Sequence, residues 1–168
     1  MTLKSCKGKI SEVLLKVKLK RKRNLNPYLV MKEIGIVNRS IAKIISEQGH
    51  HDSLMVVDAG FAIPKEVEVV DISLGENNPK VVEVLYELKK YFSVEKIILA
   101  KQTQQTSPTL LKEITKVWSN EVESELIEHT ELKQMAKNVK AVIRTGDFTA
   151  FGNVLLVSGA GDRWYREK

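Results

Sequence analysis

Short runs of β-branched and apolar residues alternate along most of this chain with stretches of helical periodicity, and that alternation admits few folds. Leu54 to Val57, Val67 to Ile72, Val94 to Ala100, Ala141 to Arg144 and Asn153 to Ser158 read as strands, with a weaker one ending at Leu126-Ile127. Between them, Asn38 is placed to cap a helix in which Ile41, Ile44 and Ile45 share a face, with Gly49 as its C′ glycine. Asn78-Pro79 opens a second helix with proline at N1, carrying Val82, Leu85, Leu88 and Tyr91 or Phe92 on one side. Ser107-Pro108 caps a third, with Leu110, Leu111, Ile114, Val117 and Trp118, and Thr130 to Asn138 forms a short fourth. Strands separated by helices of roughly ten to fifteen residues run parallel, because a parallel connection needs a helix-length crossover. The expected fold is α/β, a single domain with a mostly parallel central sheet flanked by helices.

With 168 residues and 43% apolar content, the chain can bury a sizeable core. Cys6 is the only cysteine, which excludes an intrachain disulfide and any CxxC metal or redox motif. No run approaches the ~18 apolar residues of a membrane span, and a cytoplasmic protein is expected. The net charge of +6 is unevenly placed. Residues 1–30 carry nine Lys/Arg against Glu12, a balance of +8, which leaves residues 31–168 at −2. The basicity therefore belongs to an N-terminal segment and gives the domain no nucleic-acid or membrane partner. That segment, 1–30, reads as a disordered extension, or as a stretch upstream of a start at Met31, with the domain spanning 31–168. A basic amphipathic helix lying on an anionic membrane or on nucleic-acid phosphates is the competing reading.

Two stretches hold the chemistry, Gly49 to Gly60 and Ile143 to Asn153. His50 follows the helix from Asn38 and is either a capping group for free carbonyls or a proton-exchanging imidazole. His51-Asp52 is a metal-ligand pair in form, but no second pair at suitable spacing accompanies it, so no metal and no cofactor are expected. Asp58 closes a strand, and ligands of open α/β sheets gather beyond such strand ends. His129 follows the next candidate strand end. Gly146 and Gly152 bracket a turn without the strand-to-helix setting of a phosphate loop. After it, Phe151 offers an apolar face and Asn153 both a donor and an acceptor, a pair found in sugar sites and in ordinary hairpins alike.

Taken in order, these pieces resemble the D-ribose pyranase and fucose mutarotase family. The matching stretches are Gly35-Ile36-Val37-Asn38, Gly49-His50-His51-Asp52, Val57-Asp58-Ala59-Gly60-Phe61-Ala62-Ile63-Pro64, Ala141-Val142-Ile143-Arg144-Thr145-Gly146 and Gly152-Asn153-Val154-Leu155-Leu156, over about residues 31–160. The Asp58 stretch is closer to the ribose branch, and Gly152-Asn153 to the fucose branch. The resemblance implies a cofactor-free isomerase that interconverts ring forms of a free monosaccharide, D-ribose first and fucose as the alternative. It implies His50 as proton donor, with Asp58, His129, Phe151 and Asn153 binding substrate. It also implies a ring-shaped homo-oligomer with sites near subunit contacts.

The chain departs from the family at three places. Phe151 stands where tyrosine is usual, Lys101-Gln102-Thr103-Gln104 replaces a more acidic segment, and the chain continues through Trp164-Tyr165-Arg166-Glu167-Lys168. Loss of the tyrosine hydroxyl favours a second reading, a sugar-binding module of the same fold without efficient catalysis.

Overall fold

The computed structural model describes residues 34–119 and 122–160. The basic segment and its alternative readings lie outside the described residues, as does the end of the chain beyond residue 160. All described elements belong to the compact unit Gly35–Lys168; the other unit, Met1–Ile34, falls outside the described residues except for Ile34.

Helix α1 (Arg39–Ser46) starts where Asn38 Oδ1 accepts the Ile41 N–H at 3.0 Å. Strands β1 (Ser53–Val57) and β2 (Glu68–Asp71) follow, then α2 (Val81–Lys89) and β3 (Val94–Ala100). Helices α3 (Lys101–Thr106) and α4 (Pro108–Val117) lead to β4 (Glu123–Ile127). Helix α5 (His129–Met135) runs into a 3₁₀ turn, Ala136–Asn138, before β5 (Ala141–Arg144) and β6 (Val154–Ser158).

The six strands form one sheet in the order β2-β5-β1-β6-β3-β4. β6 runs antiparallel to both its neighbours, and every other pairing is parallel. β1 is buried from Leu54 to Val57 because successive side chains enter opposite layers. Leu54 and Val56 pack with Ile41 and Ile44 of α1, Leu85 of α2 and Ile114 of α4. Met55 and Val57 pack on the other face with Phe61, Leu132 of α5 and Ala136. The edge strands are charged. Only Val70 of β2 is buried, and Glu123, Ser124 and Glu125 of β4 are exposed. Lys43 meets Glu68 at 2.9 Å, and Lys96 meets Glu123 at 3.1 Å and Glu125 at 2.8 Å.

The mostly parallel sheet flanked by helices matches the expectation, and the differences in detail have physical causes. Gly49 is not a C′ residue: α1 ends at Ser46 with Glu47 as cap, and the Gly49 N–H donates to Asp52 Oδ2 at 2.8 Å. Helix α2 begins at Val81 and not at Pro79, because Glu83 takes the Lys80 N–H at 2.8 Å and Asp147 takes the Val81 N–H at 2.9 Å. Helix α3 has no apolar periodicity to announce it; it is tied down by the fully buried Thr103, whose hydroxyl donates to the Phe151 carbonyl at 2.7 Å.

The segment joining β5 to β6 is not a hairpin loop. Its two strands lie on either side of β1, so residues 145–153 cross over the end of that strand. Gly146 makes the crossing possible. A Cβ there would stand 2.3 Å from the Gly75 carbonyl oxygen and 2.4 Å from that of Asn78, both backbone atoms. Gly146→Ala should therefore cost about 1–3 kcal/mol in denaturant unfolding, the usual overpacking range. Gly75→Ala, whose Cβ meets nothing within 4 Å, should stay within about 0.5 kcal/mol of the parent. Equal stabilities for the two variants would contradict this account.

Candidate active site

Because β6 opposes its neighbours, its first residue and the last residues of the other strands share one edge of the sheet. Asp58 follows β1, Thr145 follows β5, His129 follows β4 by two residues, and Asn153 precedes β6. Asp58 and Asn153 interlock there. The Asp58 N–H donates to Asn153 Oδ1 at 3.1 Å, and Asn153 Nδ2 donates back to Asp58 Oδ2 at 2.9 Å. Asp58 Oδ1 accepts the Gly60 N–H at 3.0 Å. Both side chains are buried, and burial pushes the Asp58 carboxyl above the usual aspartate range despite these hydrogen bonds.

His129 is the first residue of α5. Its backbone N–H donates to Gln102 Oε1 at 3.0 Å, and Gln102 Nε2 donates to Glu128 Oε2 at 2.9 Å. The ring sits edge-on to Phe151 with centroids 4.9 Å apart, and to Phe61 at 6.3 Å. Burial, then the Lys133 ammonium, lowers its pKa from the ordinary histidine value, so the imidazole is neutral at neutral pH. Its Nε2 is buried and has no hydrogen-bond partner among the described residues. Phe151 adopts φ 60°, a left-handed conformation that costs a non-glycine residue of order 1–3 kcal/mol. The Thr103 hydroxyl on its carbonyl helps hold it there.

Asp58, His129, Phe151 and Asn153, four of the five residues singled out in the sequence, thus line one cavity of about 240 Å³, together with Lys133. A second cavity of about 350 Å³ continues past Asp58 to Arg144, Asp147 and Phe148. The fifth, His50, is elsewhere. It precedes β1, whose five residues at about 3.3 Å each put roughly 16 Å between the two sheet edges. His50 Nε2 meets Glu95 Oε2 at 3.1 Å, beside a groove of about 530 Å³. It does not cap α1.

Four further side chains contribute that sequence reading does not single out as site residues. Lys133 follows His129 by one helical turn and reaches the same cavity. Gln102 lies on the unforeseen α3. Asp147, almost fully buried, accepts the first N–H of α2 and the Thr149 N–H. Glu95 also takes His51 Nδ1 at 2.6 Å, and these histidine bonds hold its carboxyl below the usual range against desolvation. His50, His51 and Glu95 present ligand atoms within 4.8 Å of one another, the described grouping suited to a transition-metal ion. His51 is thus partnered by Glu95 and not by the adjacent Asp52.

Comparison with known proteins identifies the family. The RbsD / FucU transport protein family matches residues 31–161. The chain belongs to that family. It is 44% identical over 133 residues to the D-ribose pyranase of Thermotoga maritima, covering 77% of this chain and 98% of the relative. Among solved structures, Bacillus subtilis RbsD complexed with D-ribose superposes with a TM-score of 0.75 at 36% identity, over 78% of this chain and 99% of that one. The Streptococcus pneumoniae fucose mutarotase, complexed with L-fucose, shares the fold at TM-score 0.64 and 15% identity, over 78% of this chain and 99% of that one.

The interlock sets a pH test. In Asn153→Asp, a second carboxylate faces Asp58, and the pair retains a proton to higher pH than either group does unfolded, near pH ~4. The folded state then binds more protons than the unfolded state above that pH, so stability falls as pH rises through the window. Thermal melts should show a deficit against the parent that is small at about pH 5 and larger at about pH 8. A deficit independent of pH would show that the Asn153 amide does not neutralise this contact.

Proposed function

We propose that this protein interconverts the pyranose and furanose forms of D-ribose without a cofactor. The observation that carries the reading is the strand-end cavity. It surrounds an aromatic face with a carboxylate, an unpartnered imidazole nitrogen, an ammonium and an amide, the groups that grip a small molecule bearing hydroxyls on every carbon. The similarity to D-ribose pyranases along nearly their whole length supports ribose as the sugar. Among the described residues no helix is long and apolar enough to cross a membrane. The cytoplasm is the compartment we propose.

Ring opening needs two proton movements and no redox change. A base takes the proton of the anomeric hydroxyl, an acid protonates the ring oxygen, and the bond between the anomeric carbon and that oxygen breaks. Reclosure through another hydroxyl changes the ring size and returns both protons. Burial makes Asp58 a stronger base than an ordinary aspartate, and it faces the cavity with Asn153 to hold hydroxyls. His129, neutral, offers Nε2 to another hydroxyl, and Phe151 packs against the ring.

The acid/base imidazole is His50, supplied by a neighbouring copy of the chain. Two features support this: His50 is exposed, and it lies at the sheet edge opposite its own cavity. A contact between unlike edges is head-to-tail and closes into a ring when the rotation permits, in line with the ring-shaped homo-oligomer the resemblance implies.

NMR exchange between ribose ring forms tests the reading. His50→Ala should lower kcat roughly 10²–10⁴-fold with KM little changed, the usual range for loss of a general acid/base. Exchange at the parent rate in His50→Ala removes the assigned role, and tight ribose binding without accelerated exchange in the parent selects the non-catalytic module that Phe151 favours. A mixed-subunit experiment tests the shared site. Co-refolding His50→Ala with Asp58→Ala in equal amounts should restore about one quarter of parental activity, because one contact in four pairs an intact cavity with an intact histidine. Mixtures no more active than either variant alone would place His50 and its cavity in the same subunit.

A further inference from the structure

We propose that Glu95 is the positioning residue for His50, holding Nε2 so that Nδ1 is the nitrogen that exchanges a proton with the sugar. This rests on the reading of His50 as the acid/base and adds to it a group that never touches substrate.

The sheet aims Glu95 at the histidines. Pairing between β3 and β6 passes from Val94 opposite Ser158 to Lys96 opposite Val157, which leaves Glu95 as the extra residue of a β-bulge. Bulges redirect a side chain that would otherwise follow the strand alternation. The redirected side chain crosses Gly159, where a Cβ would stand 2.4 Å from Glu95 Cβ and 2.8 Å from Oε2. Glycine at 159 is therefore the space that the glutamate occupies.

The carboxylate then divides its oxygens between two rings. Oε2 meets His50 Nε2 at 3.1 Å, and Oε1 meets His51 Nδ1 at 2.6 Å. His51 adopts φ 67°, and the adjacent rings stack with centroids 3.9 Å apart and planes 19° from parallel. A ring turned about its own axis would break a hydrogen bond and the stack together. Asp52, the nearest other carboxylate in sequence, is engaged by the Gly49 N–H and by Lys140 and leaves both histidines to Glu95.

Chemistry follows from the acceptor. An ionised carboxylate has no proton to donate, so the nitrogen facing it carries the hydrogen. His50 is held as the Nε2–H form when neutral, with a lone pair on Nδ1, and donates from Nδ1 when protonated. The same logic holds His51 as the Nδ1–H form, the minority tautomer of a free histidine in water. His51 is therefore a reporter of the clasp that is separate from catalysis.

The test uses the full chain, with chelator present because the three side chains are also suited to a metal ion. Ring ¹⁵N shifts should show His51 as Nδ1–H in the parent and as mainly Nε2–H in Glu95→Ala. In ribose exchange, Glu95→Ala should lower kcat roughly 10–100-fold with KM nearly unchanged, the size of loss that follows misplacement of a reacting group. Glu95→Gln keeps an acceptor oxygen, so it should recover part of the rate and confirm that folding is intact. An unchanged His51 tautomer, or a parental kcat in Glu95→Ala alongside an inactive His50→Ala, overturns the proposal alone. Parental exchange in His50→Ala overturns the acid/base reading and this proposal with it.

Discussion

Because β6 runs antiparallel between β1 and β3, the chain has to re-enter the sheet at the edge where the other strands finish. The crossing segment passes directly above β1, and the Asp58–Asn153 pair is the clamp that this geometry creates. One side chain belongs to a strand that has just ended and the other to a strand about to begin. Their two hydrogen bonds join residues 95 positions apart. The same crossing delivers Asp147 to the start of α2 and Phe151 to His129. The cavity is thus a by-product of strand direction, walled by whatever follows β1, β4 and β5 and precedes β6.

That origin explains which features could be read from the chain alone. Strand segments buried on both faces appear as apolar runs, so β1, residues 97–100 of β3 and the first three residues of β5 stand out. β4, exposed over its first three residues, shows only its final apolar pair. Asp58 and Asn153 were visible because each is a polar residue abutting such a run. His129 and Phe151 were visible through the same strand ends together with the family resemblance. Helix α3 was not, since Lys-Gln-Thr-Gln-Gln-Thr has no apolar face and is held by polar contacts, chiefly those of Thr103 and Gln102.

The rest of the site depends on contacts that local sequence does not encode. Glu95 reaches His50 from 45 positions away, through a bulge that has no composition signature. Asp147 meets Val81 across 66 positions, and its burial is made tolerable by the N–H groups that surround it. Reading His51 with Asp52 followed adjacency in the chain. The fold instead sends Asp52 to Gly49 and Lys140 and gives both imidazoles to a glutamate from another strand. Side chains that meet only because the fold brings them together are the ones sequence reasoning loses first.

The charged outer strands carry a consequence for how copies of the molecule meet. An open sheet normally invites a further strand at each margin, the route by which globular proteins turn into fibrils. Here Glu68 and Asp71 on one margin, and Glu123 and Glu125 on the other, are ion-paired to Lys43, Arg144 and Lys96, and an added strand would have to desolvate or displace these charges. Lateral growth by strand addition is disfavoured by charge on both margins. The head-to-tail contact we propose runs along the strand direction, from the tip of one sheet to the tail of the next, and leaves both charged margins uncovered.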